Sequence, residues 1–261
     1  QVTTDPDAEP GGRGIRLITT RGLANPLPFH IGQVPEVARK AMKTCTFQGL
    51  GKEQAAQRKR PPEEEEARVT VPCTMNGQIA SGEVNRYRFP ARKGQRLVIS
   101  TAARELIPYI ADAVPGWFQP VLTLTDSSGK EVAFNDDFRF KPDPTLFYDV
   151  PQDGEYVLTL TDAIYRGRED FVYRITISEM PFVTSIFPLG GREGETTKIE
   201  MEGWNLEKAV LTRPAKNARE GVHYLAARKK GVVSNAVPFM LDTLPECFDK
   251  ESNNNVSNAQ K

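Results

Sequence analysis

Apolar and polar residues alternate with a period of two through the middle of the chain. Between Gly154 and Thr161, Tyr156, Leu158 and Leu160 fall on one side; between Phe171 and Ile177, Phe171, Tyr173, Ile175 and Ile177 do the same. Successive side chains of a strand point to opposite faces, so each run predicts a strand with one buried and one wet face. The connection Asp162–Asp170 is polar and too short for a crossover helix, which predicts antiparallel neighbours. Val69 and Val71, Tyr87 and Phe89, Leu97 with Ile99 and Thr101, and Leu122 with Leu124 repeat the pattern. Arg92-Lys93-Gly94, Asp126-Ser127-Ser128-Gly129 and Gln152-Asp153-Gly154 supply the Gly and Asx residues that reversals need. About seven short strands with regular turns predict an all-β, jelly-roll-like sandwich.

A second, smaller module follows Met180-Pro181. Val183–Pro188 is extended, Gly190-Gly191 and Gly194 are turn residues, and Ile199 and Met201 alternate inward within Thr197–Glu202. With Gly203-Trp204-Asn205-Leu206 and the strands up to Leu241, this pattern suits a small Ig-like sandwich. Its closing segments have a copy near the N-terminus: Ile15–Phe29 matches the stretch that ends in Gly231–Phe239. Asn25 and Asn235 each stand four residues before a Phe and ten before a Pro-Glu pair, and matches at one constant offset make an internal repeat. The first copy lacks the strands that precede the motif in the second, so the expectation is a chain that starts midway through one module of a longer array.

The predicted division is therefore a partial Ig-like repeat at 1–37, a charged linker at 38–66, the larger sandwich at 67–179, the Ig-like domain at 180–243 and a polar tail at 244–261. Within the long irregular N-terminal segment, residues 1–14 are rich in Pro, Gly and Asp and read as loop. Glu36–Met42 reads as a short helix. Lys52–Arg60 has helix-forming composition but no apolar face, and Glu63–Glu66 continue it as a charged tether, either a docking tail or a solvated linker.

Charge and composition narrow the function classes. Lys and Arg number 34 and Asp and Glu 34, a balance that argues against general nucleic-acid or anionic-membrane binding. Apolar residues make up 39%, with 20 Gly and 20 Pro, which fits a loop-rich all-β protein. No apolar run approaches the roughly 18 residues of a membrane span. Cys45, Cys73 and Cys247 lack metal-ligand spacing; Cys45 and Cys73 can bridge in an oxidising compartment, or all three are unpaired thiols.

Three features carry candidate chemistry. Asn135-Asp136-Asp137, with Asp126 one hairpin away, presents several hard oxygens for Ca²⁺, or else forms Asx-stabilised turns. The apolar, proline-punctuated segment Leu106–Phe118 offers Tyr109, Trp117 and Phe118 as a contact loop, unless it folds back to cap one end of the sandwich. His30 and His223 belong to no His-Glu-x-x-His or Gly-x-Ser-x-Gly motif, and no Gly-rich phosphate loop follows a strand, so no catalytic residues are assigned.

Asn85–Phe89, Ala91–Gln95, Leu122–Asp126 with Gly129-Lys130-Glu131, Asn135-Asp136-Asp137 and Asp153–Tyr156 together resemble the bacterial pre-peptidase C-terminal domain. Ala103–Tyr109 and Tyr165–Asp170 look like the variant in large secreted proteins of planctomycete-type bacteria. The segment 181–242 is similar to IPT/TIG domains, with Gly203-Trp204-Asn205-Leu206 in the place of their Gly-x-Asn-Leu. The resemblance implies a non-enzymatic accessory part of an exported protein, periplasmic or extracellular, that contacts a protein or polysaccharide surface or other subunits of an assembly. It also implies calcium held by an Asn/Asp-containing, Glu-rich linker and an acidic loop. Here the loop reads Glu83 and Asn85 rather than two aspartates, and the linker Glu63–Glu66 has no Asn-Asp. The alternative is an accessory domain of a secreted peptidase or other hydrolase whose catalytic domain lies outside this chain.

Overall fold

The computed structural model describes residues 2–41, 44–49, 52–57, 61–107, 118–168, 170–215, 217–249 and 251–259. It divides into two units, 1–179 and 180–261. Both are built of strands; the α-helical content of the described residues is a single turn.

The first unit opens with a hairpin. Strands β1 (Gly11–Ile15) and β4 (Leu27–Ile31) pair antiparallel and enclose the shorter pair β2 (Ile18–Thr19) and β3 (Gly22–Leu23). Residues 11–14, expected as loop, are thus strand; their glycines have weak strand propensity, but β4 offers a complete backbone partner. Strand β5 (Glu36–Ala38) stands where a helix was expected. It lies parallel to a strand of the sandwich, and the Glu36 carboxylate holds it there by accepting from Arg174 at 2.7 and 2.9 Å and from Asn76 at 2.9 Å. Strands β6 (Thr44–Gly49) and β7 (Lys52–Gln57) form another hairpin, so the helix-forming composition of this run is overridden. A helix there would have no apolar face to bury, and backbone pairing decides.

A helical turn, α1 (Pro62–Glu65), leads into β8 (Glu66–Arg68), β9 (Cys73–Gln78), β10 (Asn85–Ala91), β11 (Arg96–Ala102), β12 (Pro120–Thr125), β13 (Glu131–Asn135), β14 (Thr145–Asp149), β15 (Gly154–Asp162) and β16 (Val172–Ser178). They form two five-stranded sheets, ordered β13-β12-β15-β10-β8 and β14-β11-β16-β9-β5. Every neighbour is antiparallel except the edge strands β8 and β5, which run parallel to β10 and β9. The β15 and β16 runs therefore fall in opposite sheets instead of pairing with each other. The chain crosses between layers at each such connection, which is how a sandwich buries one face of both sheets. Tyr87, Phe89, Leu122, Leu124, Leu158 and Leu160 of one sheet meet Met75, Leu97, Ile99, Tyr173, Ile175 and Ile177 of the other, all fully buried. The period-two pattern thus marks the inward positions.

The second unit contains β17 (Phe182–Phe187), β18 (Gly190–Arg192), β19 (Glu200–Trp204), β20 (Val210–Leu211), β21 (Gly221–Lys229) and β22 (Val232–Asp242). The two-stranded sheet β17-β19 and the four-stranded sheet β18-β22-β21-β20 share a small core of Val183, Ile186, Leu225, Ala227, Phe239 and Leu241. The Gly203–Leu206 motif has a local reason. A Cβ on Gly203, whose φ is +157°, would lie 2.0 Å from the Phe182 carbonyl oxygen. Asn205 follows in the left-handed region at φ +57° and donates to the Met180 carbonyl at 3.3 Å.

Candidate binding surface

The four candidate calcium ligands do not converge. Asp126 sits at the tip of the β12–β13 turn and Asn135 at the far end of β13, opposite Leu122. At about 3.3 Å per residue this is a separation of roughly 13 Å, against the 2.3–2.6 Å within which ligands surround Ca²⁺. Each group serves its own turn instead. The Asp126 carboxylate accepts from the Ser128 hydroxyl at 2.6 Å, the Ser128 N–H at 2.9 Å and the Lys130 N–H at 3.1 Å; the Ser128 contact first holds its pKa below the usual value. Asn135 accepts from the Asp137 N–H at 3.0 Å and donates to the Thr145 carbonyl at 2.8 Å. Asp136 and Asp137 are exposed.

The linker and loop that the family resemblance pairs around calcium do meet, around a guanidinium. Arg39 donates to Asn85 Oδ1 at 2.8 Å, to the Glu65 carbonyl at 2.8 Å and to the Glu64 carbonyl, and lies 5.2 Å from the centre of the Tyr87 ring. The buried Glu83 carboxylate points elsewhere, accepting from the Ala80 N–H at 2.8 Å. A fixed side-chain cation thus stands between these groups, and the residues present do not fit a calcium shell. Among the described residues no three His, Cys, Asp or Glu side chains gather as a metal shell.

The contact loop is corrected in one residue. Phe118 is 1% exposed, its ring stacked at 5.1 Å on Phe171 and 6.4 Å from Tyr173. It is core, because the connection re-enters the sandwich just before β12. Tyr109 and Trp117 lie outside the described residues. Cys73 is a free thiol at 1% exposure with its sulfur 3.4 Å from Met75 Sδ; the Cys45 side chain lies outside those described.

Two aspartates unremarked in the sequence organise the loops. Asp143 accepts from the N–H groups of Ala103, Arg104 and Glu105 at 2.8–3.1 Å. The fully buried Asp162 accepts from the N–H groups of Gln119, Ile164 and Arg166 and from the Arg166 guanidinium. Both satisfy backbone donors, which is what the buried Asp162 carboxylate needs.

A surface feature the sequence reading missed lies between β13 and β14. Phe138 and Lys141 exchange both backbone hydrogen bonds, at 2.8 and 3.0 Å, closing a two-residue turn of Arg139 and Phe140. Both turn residues have positive φ, 50° and 65°. The Phe138 ring packs edge-on with Phe147 of β14 at 5.9 Å, with the Arg139 guanidinium over it at 5.7 Å. Phe140 itself is fully exposed, and Phe134 nearby in sequence is 53% exposed. The legible signal was an aromatic in a loop with no glycine to take the left-handed position.

The chain is similar to the pre-peptidase C-terminal domain of a collagenase from Bacillus anthracis, at 15% identity over 46% of this chain and 98% of that one, TM-score 0.33. It is similar to a mutant of PliG-Ec, a periplasmic inhibitor of g-type lysozyme from Escherichia coli, at 15% identity over 43% and 96%, TM-score 0.29. A third likeness is to the M60 catalytic domain with two CBM51 domains of ZmpB from Clostridium perfringens, at 10% identity over 86% and 32%, TM-score 0.26. At such scores none of them bears on partner or activity. No protein-family model matches the sequence, and no curated protein does. No helix among the described residues is long and apolar enough to cross a membrane.

Proposed function

We propose that this chain is a non-catalytic binding module of an exported bacterial protein, and that the Arg139-Phe140 turn is its contact point for a protein partner. The observation that carries this reading is Phe140. A bulky residue in the left-handed region costs roughly 1–2 kcal/mol, and the fully exposed ring offsets none of it by packing within the chain. Strain of this kind persists where a function uses it. An aromatic beside an arginine, on a turn whose Phe138 ring packs with Phe147 of the sandwich, has the composition of an interface anchor.

The ionisable groups favour binding over catalysis. Asp143 accepts three backbone donors, and Asp162 accepts three together with the Arg166 guanidinium. Burial pushes the Cys73 thiol up to about 11, which keeps it protonated and poorly nucleophilic. Export, and the reading as a pre-peptidase C-terminal sandwich followed by an IPT/TIG domain, rest on the sequence motifs. A place beside a secreted peptidase or other hydrolase uses the same contact.

The test compares the immobilised full chain with its Phe140→Gly variant for retention of envelope proteins and cell-wall polysaccharide from the source cells. The variant should lose the protein partner at least tenfold while melting no lower, and up to about 1 kcal/mol more stable as the strain is relieved. Equal retention by both proteins removes the contact role. A lower melting temperature would assign the ring to folding.

A further inference from the structure

The N-terminal hairpin repeats the closing hairpin of the second unit pair for pair. In β1–β4, Gly11 faces Ile31, Arg13 faces Phe29 and Ile15 faces Leu27. In β21–β22, Gly221 faces Leu241, His223 faces Phe239 and Leu225 faces Val237, each displaced by the constant offset that separates Asn25 from Asn235. The short pairs Ile18–Leu23 and Thr19–Gly22 fall on Arg228–Val233 and Lys229–Val232 at that same offset. The entry backbone is shared too, with φ of 120° at Gly11 and 132° at Gly221.

What covers the two copies differs. In the second unit Leu225, Ala227 and Phe239 are 0–2% exposed beneath Val183 and Ile186. Their counterparts Ile15 and Leu17 are 36% and 67% exposed and Phe29 is half-buried, while Leu27, which corresponds to the partly buried Val237, is 70% exposed. Strands β21 and β22 are flanked by β20 and β18, whereas β1 and β4 form a two-stranded sheet. Asn235 also clamps the covering strand: its Oδ1 accepts from the Val183 N–H at 2.8 Å and its Nδ2 donates to the Val183 carbonyl at 2.9 Å. Asn25, its counterpart, is exposed and has no hydrogen-bond partner among the described residues.

The geometry points to the N-terminal hairpin as an acceptor site for a β-strand supplied from outside residues 1–261, a segment with bulky aliphatic side chains like those of β17. Ile15, Leu17 and Leu27 are the apolar floor, and Asn25 takes the N–H and C=O of one residue of the incoming strand. The occupant is not this chain's own β17, which Asn235 already holds. A strand of this kind buries the apolar face of the hairpin while the Asn25 amide satisfies one residue of its backbone, as Asn235 does for Val183. The site is independent of the Phe140 contact.

Fusing a second copy of residues 181–212 through a flexible linker ahead of residue 1 supplies such a strand to the full chain. Amide exchange in Gly11–Ile15 and Leu27–Ile31 should slow at least tenfold, and Asn25→Ala with Leu27→Asp should restore the rate of the unfused chain. Unchanged exchange overturns the proposal, as does slowing that survives the two substitutions. So does hairpin protection in the unfused chain that comes only with a dimer in sedimentation, since a second copy would then be the occupant. A second experiment does not depend on the fused segment folding: residues 11–31 replace 221–241 in the full chain. The second unit should still melt cooperatively with the Val183 amide protected by the transplanted Asn25; loss of that protection also overturns the proposal.

Discussion

The hydroxyls of Tyr87 and Tyr173 meet at 2.7 Å in the interior of the larger sandwich, one from β10 and the other from β16. They join the two sheets beside the Arg39 guanidinium, which lies 5.2 Å from the centre of the Tyr87 ring. Removing one hydroxyl leaves a buried polar group short of a partner, so Tyr173→Phe should destabilise the chain by about 1–2 kcal/mol, read as a lower denaturant midpoint with unchanged slope.

Alkaline pH should weaken the fold through the same interior. Burial pushes Tyr148 up to about 12 and the Cys73 thiol up to about 11, and raises Tyr173 well above 10.0. The folded state then binds more protons than the unfolded chain, so stability is full below about pH 9 and falls as pH rises through these values. Chemical denaturation between pH 8 and 11 checks it; a flat profile contradicts the buried environment of these groups.

At low pH the Glu36 carboxyl matters. Burial alone would raise its pKa, but hydrogen bonds from Arg174 and Asn76 outweigh burial and leave it below 4.5. Its contribution is therefore present above pH 4.5 and lost as pH falls through the lowered value. Because the pair is partly exposed, Glu36→Gln should cost no more than about 1 kcal/mol at pH 7 and flatten the acid limb of the stability curve.

Arg39 links the linker to the loop. Arg39→Ala should destabilise the first unit by about 2–3 kcal/mol, because the carbonyls of Glu64 and Glu65 and the Asn85 amide lose a charged donor. Added Ca²⁺ should not restore the melting temperature; restoration would mean that the cluster can hold the ion after all.

Gly203→Ala tests the motif of the second unit. Its Cβ would collide with the Phe182 carbonyl at an unfavourable φ, so the β17–β19 pairing should open, with a loss of about 2 kcal/mol or more. Amide exchange in Phe182–Phe187 is the measure.

The sequence by itself determined which side chains of each strand are buried, since a period of two is a property of the chain alone, and Tyr156, Leu158, Tyr173 and Ile175 all fall inward as that period requires. It also determined the repeat, because Asn25 and Asn235 stand at equivalent positions, one constant offset apart, of hairpins paired in the same register. Partners were decided only by tertiary structure. Alternation does not say which strand lies beside which, so β15 and β16, next to each other in sequence, went to different sheets. Polar runs without periodicity became strands when a backbone edge was offered. The sites followed the same rule: Asp126 and Asn135 were separated by the length of a hairpin, Phe118 was drawn into the core, and Phe140 was lifted out of it, because distance along a chain carries no information about distance across a fold.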